Sequence, residues 1–167
     1  MLASVEKLEH VLLPEVDLLV IQFEAKYSAM KFKLADVLLH VAPLKCLEKI
    51  KKNGLVPKAK SAEFKYDDRV YLFNQCKESL AVSYGKYKAK DMKDNGFCIF
   101  KIQKNNLENF KNYKNGKLRF YVDNAFETEN GVQAIFTYSN VPLELLDDVC
   151  LVYDGPKFDK SRAVKFK

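Results

Sequence analysis

"LLHVAPLKCLEKIKKNGLVPK", residues Leu38 to Lys58, is the stretch on which the fold turns. It begins inside "VLLHV" (Val37–Val41), short and almost wholly apolar, as suits an interior strand covered on both faces, with His40 near its C-terminal end. The period then changes. Pro43 suits a first helical turn, Leu44, Leu47 and Ile50 recur at helical spacing, lysines crowd the last turn, and Gly54 supplies a C-terminal cap. A histidine in such a strand has two readings: a core side chain that satisfies a backbone carbonyl, or the polar hook of a ligand cleft. The pattern alone leaves both open.

On the N-terminal side, "LLVIQFEAK" alternates Ile21, Phe23 and Ala25 with Gln22, Glu24 and Lys26, and "MKFKLA" sets Met30, Phe32 and Leu34 against Lys31 and Lys33. Period two predicts an opening antiparallel pair of strands. On the C-terminal side, "VPKAKSAEFKYDD" reads as a loop, "RVYLF" (Arg69–Phe73) as a strand, and "NQCKESLAVSYGKY" as a helix that lays Leu80, Ala81 and Tyr84 over the sheet. Further strands are predicted at "GFCIFKI", "KLRFYVD", "GVQAIFTY" and "CLVYDG", separated by loops rich in Asn, Lys and Gly. The stretch "PKFDKSRAVKFK", residues 156–167, reads as a basic, loose tail, which leaves residues 1–155 as a single domain. Strands outnumber helices, and each of the two helices comes early and follows a short strand. This order predicts an α+β fold with a strongly bent or split sheet rather than a doubly wound parallel one.

The totals narrow the classes. A chain of 167 residues with 48% apolar and 30% charged residues can bury a core as one domain without a metal or disulfide staple. No apolar run is long enough to span a membrane, and "MLASVEKLEH" has early acids where a secretory signal has its apolar core, so a cytoplasmic location is expected. The four cysteines are scattered, which suggests reduced buried thiols rather than a zinc knuckle or redox pair. With only His10 and His40 present, and His10 read as solvent-facing, no histidine-rich metal site is expected. The signatures GxGxxG, GxxxxGK, HExxH and GxSxG are absent, so a glycine-loop nucleotide site, zinc hydrolysis and a serine elbow have no support. The net charge of +6 comes mostly from lysine spread along the chain, a surface that attracts polyanions weakly. Aromatics interleave with lysine in "YGKYKAK" and "NFKNYKNGKLRFY", as stacking platforms do, and as strand edges and loop anchors also do.

Taken in order, "LLHVAPLKCLEKIKKNGLVPK", "DDRVYLF" and "NGVQAIFTYSNVPLELL" resemble the ADP-ribosyltransferase-fold family, including RNA 2′-phosphotransferase-like and DNA ADP-ribosyltransferase-like proteins, over about Leu38 to Val149. The resemblance implies an ADP-ribosyltransferase-like split β-sheet with a few short helices, NAD as cofactor, and transfer of an ADP-ribosyl group, or related 2′-phosphate chemistry. It implies a macromolecular acceptor, possibly nucleic acid, and no metal. Carried across by position, His40 would hydrogen-bond the adenosine ribose of NAD, Tyr71 would stack on the nicotinamide ring, and Arg69 would hold a phosphate. Gln133, with Glu129 and Glu127 a few residues earlier, falls where active members place a late-strand glutamate beside the reacting ribose. The chemistry is coherent: a flat cationic leaving group favours an aromatic face, and the oxocarbenium-like centre it leaves favours a carboxylate. Three departures stand out: Gln133 carries no charge, Ala42 occupies a position usually held by Thr or Ser, and the only arginines are Arg69, Arg119 and Arg162. Two alternatives therefore accompany the transferase: a catalytically degenerate binding module of this fold, and a basic nucleic-acid-binding domain. For single residues, Tyr71 also fits core packing, Gln133 a solvent-facing position, and Arg119 an exposed strand partner.

Overall fold

A computed structural model of the chain describes residues 22–23, 30–31, 34–57, 69–74, 78–122, 127–128, 131–132 and 134–167. Near the N-terminus, β1 (Gln22–Phe23) and β2 (Met30–Lys31) pair antiparallel, as the alternation predicts. The run from Val37 to Asn53 forms β3 (Val37–Pro43), a single 3-10 turn at Leu44–Cys46 and α1 (Leu47–Asn53). Gly54 ends α1 at φ 74°, a left-handed value that glycine adopts without strain, and its N–H donates to the Ile50 carbonyl. Next come β4 (Val70–Phe73) and the long helix α2 (Glu78–Asp91), then β5 (Gly96–Gln103). After these lie α3 (Lys104–Glu108), α4 (Lys111–Lys114), β6 (Tyr121–Val122), the two-residue strands β7 (Glu127–Thr128) and β8 (Gly131–Val132), and β9 (Ala134–Thr137). The chain closes with β10 (Val149–Asp154) and β11 (Lys160–Lys165).

Seven of these strands form one open sheet in the order β11-β10-β5-β3-β4-β9-β6, with every neighbouring pair antiparallel. The fold is thus mixed α/β, with β3 at the middle position. Period two on β3, β4 and β5 divides the core. Leu38, Ala42, Val70, Leu72, Cys98, Phe100 and Ile102 face one side, where Ile50 of α1, Leu107 of α3 and Tyr113 of α4 cover them. Leu39, Phe97 and Ile99 face the other, under Ala81 and Ala89 of α2.

Helix α2 sits close because its buried stripe is Ala81, Gly85 and Ala89, spaced four residues apart, and not the Leu80 and Tyr84 that apolar periodicity favours. Leu80 and Tyr84 are exposed. A Cβ on Gly85 would lie 2.3 Å from the Phe97 ring, which itself stacks flat on Tyr153 at 4.9 Å, so neither partner has room to yield. A second close approach joins distant segments. Leu55, just after Gly54, and Val141 exchange backbone hydrogen bonds of 3.0 and 2.8 Å, and a Cβ on Gly54 would lie 2.4 Å from the Val141 carbonyl oxygen. The "GL" that ends the helix segment and the "VP" that opens "VPLELL" therefore dock on each other.

Three expectations need correction. The segment 156–167 is no loose tail: β11 runs antiparallel to β10 over six residue pairs, and Phe166 is buried against Phe100, with ring centroids 5.2 Å apart. The polar "KSRAVK" hides this because an edge strand with charged side chains needs only its ladder and one anchoring ring. The Asn- and Lys-rich loop after β5 contains α3 and α4, whose Leu107 and Tyr113 are buried along with nearby Leu118 and Phe120. In "KLRFYVD", residues 117–120 lie outside any strand and Tyr121–Val122 form β6.

Two substitutions test this packing. Gly85→Ala is expected to lower stability by about 1–3 kcal/mol by overpacking Phe97, despite the ~1 kcal/mol that alanine gains in helix propensity, as read from the urea midpoint. Phe166→Ala should cost about 3–5 kcal/mol in the same assay, whereas a loose tail would show almost no change.

Candidate functional site

Strand β3 is held unevenly by its two neighbours. With β5 it forms seven consecutive residue pairs, from Val37↔Gln103 to Pro43↔Phe97, but with β4 it forms only one, Leu39↔Phe73. Continued by two residues, that register would set Val41 opposite Tyr71; the ladder stops short of this pair. In its place the His40 imidazole reaches across, with Nδ1 2.8 Å from the Tyr71 carbonyl oxygen. A carbonyl can only accept, so Nδ1 carries the proton and donates. In the neutral ring this fixes the tautomer and puts the acceptor lone pair on Nε2. Both readings of His40 thus meet in one side chain: it satisfies a backbone carbonyl, and it stands half-buried where the ladder opens, at a ring-centroid distance of 6.4 Å from Phe100.

Tyr71 meets His40 through its backbone and not through its ring. Val70 and Leu72 belong to the core face that includes Leu38 and Ala42, so alternation sends the Tyr71 ring to the face shared with Phe73 and α2, while His40 leaves β3 on the Leu38 and Ala42 side. The two rings do not close on one hollow. Instead, Tyr71, Phe136 and Tyr121 lie directly across from one another on β4, β9 and β6 and form an aromatic rung, with centroids 5.6 Å apart in both neighbouring pairs. Tyr138 closes on this rung at 5.4 Å from Phe136 and 5.6 Å from Tyr121.

Arg69 belongs to the same cluster. Its guanidinium carbon lies 4.4 Å from the Phe136 ring centroid, 5.2 Å from Tyr138 and 6.0 Å from Tyr71, and Nη1 donates to the Tyr71 hydroxyl at 3.4 Å. Cation–π attraction and the planar fork fix the guanidinium over a half-exposed aromatic floor. Such a floor suits a flat heterocycle or an anion. Its sequence signal was present in the alternation of Arg69, Tyr71 and Phe73 and of Phe136 and Tyr138. Nothing local pointed to Tyr121 as the third rung.

The expected catalytic pair, Gln133 and Glu129, lies outside the described residues. Glu127 is in β7, opposite Val132 of β8. Arg119 is exposed, and its Nε donates to the Gly116 carbonyl at 2.6 Å, so it caps a turn. Cys46, Cys98 and Cys150 are buried free thiols, as expected. The hydrogen bond with Cys150, and then burial, push the Cys98 thiol far above its ordinary range, which keeps it protonated and unreactive. Among the described residues no three His, Cys, Asp or Glu side chains gather into a metal-binding group, and no helix is long and apolar enough to cross a membrane.

The chain matches no family model, and none of the curated proteins matches it.

A double-mutant cycle between Arg69→Met and Tyr138→Leu tests the cation–aromatic floor. The expected coupling is about 0.5–1 kcal/mol, the range for an exposed cation–π pair, read from urea unfolding of the four proteins. Zero coupling would show that the guanidinium does not rest on that ring.

Proposed function

We propose that the chain is an NAD-using transferase domain of ADP-ribosyltransferase-like architecture, with a macromolecular acceptor. The observation that carries this reading is His40, set on the middle strand where the ladder between β3 and β4 opens and oriented by the Tyr71 carbonyl. A hydrogen bond to a ribose hydroxyl is the role the family resemblance implies for a histidine at this position. The docking of Leu55 on Val141 adds support, because it joins two of the sequence pieces that carry the resemblance although they lie far apart in the chain.

The donor set fits NAD in part. His40 suits the ribose, and the backbone of β3 beside it suits an amide. The Tyr71 ring, on the opposite face of the sheet, does not fit the role of clamp for a nicotinamide held by His40, and Arg69 shares that opposite face. Bound NAD would supply the ribosyl carbon and the nicotinamide leaving group. What the described residues contribute is positioning: His40 holds the ribose, and the Tyr71 carbonyl holds His40. Glu129 and Gln133 are the proposed neighbours of the reacting ribose, with Glu129 the only one of the two able to offer a negative charge.

A second reading, NAD binding without transfer, is favoured by one observation: the His40 and Tyr71 rings emerge on opposite faces, so half of the expected grip is missing.

Calorimetric titration with NAD, together with an assay of nicotinamide release, tests both. Wild type is expected to bind saturably, and His40→Ala to bind about tenfold more weakly, equivalent to one lost hydrogen bond of ~1.4 kcal/mol. Tyr71→Phe is expected to leave NAD binding unchanged, because it keeps the carbonyl and alters only the far face. Nicotinamide release separates transfer from binding alone, and the absence of any heat at millimolar NAD would overturn both.

A further inference from the structure

On the α2 side of the sheet, a groove of about 630 Å³ opens between the C-terminal half of α2 and the turn that joins β10 to β11. It is lined by Lys86, Lys90 and Lys93 from the helix and the turn after it, by Lys157 from the hairpin, and by the rings of Tyr87 and Phe158. We propose that this groove is a binding site for single-stranded nucleic acid, in which the lysines hold successive phosphates and Tyr87 stacks on a base.

Three features of the site carry the proposal. The cations converge from two separate elements: Lys86 and Lys90 share a face of α2 at a spacing of four residues, Lys93 follows in the turn after the helix, and the β10–β11 turn brings Lys157 up to them. Lysine near a helix C-terminus is explained in part by the macrodipole. That does not account for Lys157, which belongs to another element. The second feature is Tyr87, which at 65% exposed is far more exposed than any other large apolar side chain among the described residues and stands between two of the lysines. Folding gains nothing from a ring left in water, whereas a base gains a π-face. The third is that the groove's acid is already engaged: Asp94 accepts from the Gly96 N–H and the Lys45 N–H, each at 3.3 Å, so its carboxylate caps backbone rather than pairing with the lysines.

The hairpin side of the groove is a tight turn. Phe158, at φ 54°, and Gly155, at φ 90°, shape a tight turn closed by a Phe158 N–H to Gly155 carbonyl bond of 3.1 Å, and Phe158 packs against the core beneath α2. Alternating point charges and an exposed ring on a fixed wall match a flexible phosphate chain with stackable bases. An acidic peptide would use the lysines but leave Tyr87 without a partner. A duplex would keep its bases out of reach of the ring.

The proposal is independent of NAD, and so is its test. Fluorescence anisotropy of labelled oligo-dT and oligo-U of about 15 nucleotides, a length within the span of single-strand sites, is measured with the full chain between about 50 and 200 mM salt. Four phosphate contacts predict a log–log salt slope near about −3. The triple substitution Lys86→Ala, Lys90→Ala and Lys157→Ala should weaken binding at least about tenfold. A charge-matched control at Lys111, Lys114 and Lys117, exposed on and after α4, should weaken it by less than about threefold. Tyr87→Ala should lose about fivefold, with Tyr87→Phe close to wild type. Thermal unfolding of each variant confirms that these exposed changes leave the fold intact. Equal losses in the two triples would overturn the proposal in favour of diffuse attraction to a basic surface. It would equally be overturned by polyglutamate binding as tightly as the oligonucleotides, by duplex binding more tightly than single strands, or by no binding at low salt.

Discussion

A strand in the middle of a sheet cannot leave its backbone groups, or those of its neighbours, without partners, because each unsatisfied buried group costs on the order of 1–3 kcal/mol. Strand β3 meets this constraint fully on the β5 side, through seven residue pairs, and barely on the β4 side, through one. His40 supplies one of the bonds that the short ladder leaves out. Its imidazole reaches where the next backbone pair would be and donates to the Tyr71 carbonyl. The sheet therefore remains continuous where the β3–β4 ladder is short, through a side chain whose tautomer is set by the bond it makes. Structural satisfaction and functional potential are here the same interaction.

Close approach governs the rest of the architecture. Gly85 lets α2 settle onto Phe97, and Gly54 lets the end of α1 meet the segment around Val141, in both cases at distances a side chain would forbid. The consequence for α2 is geometric. A helix that buries only Ala81, Gly85 and Ala89 turns its larger residues outward, which is why Tyr84, Tyr87 and the flanking lysines face solvent rather than core. The small-residue stripe that fixes the helix thus also creates the basic, aromatic wall beside the β10–β11 turn.

The molecule presents three separate chemistries. His40 stands on the core face where the β3–β4 ladder is short; Arg69 rests on a floor of tyrosines and Phe136 on the other face; and the lysine groove lies beside the C-terminal half of α2. The first two belong to adjacent strands and are divided by nothing more than the alternation of side chains along them. His40 and the groove share no side chain.

Much of this was written locally in the sequence. The run from Val37 to Gly54 specifies a strand, a helix and its cap through composition, period and one glycine, although the strand runs on to Pro43, a 3-10 turn takes Leu44–Cys46, and the helix starts only at Leu47 with Ile50 as its buried residue. Alternation in "RVYLF" and "AIFTY" likewise fixed that Arg69 shares a face with Tyr71 and Phe136 with Tyr138. That Cys46, Cys98 and Cys150 are buried free thiols was legible from the scatter of the cysteines alone. What the tertiary structure alone decided is which faces meet. Whether the His40 and Tyr71 rings converge depends on the register between two strands separated by a long connection, and a shift of one residue sends a side chain through the sheet. The same holds for β11, whose charged residues read as a tail until a partner strand and the pocket for Phe166 are in place. It holds for the lysine groove as well, because its helix and its hairpin are far apart in sequence and are juxtaposed only by the folded sheet.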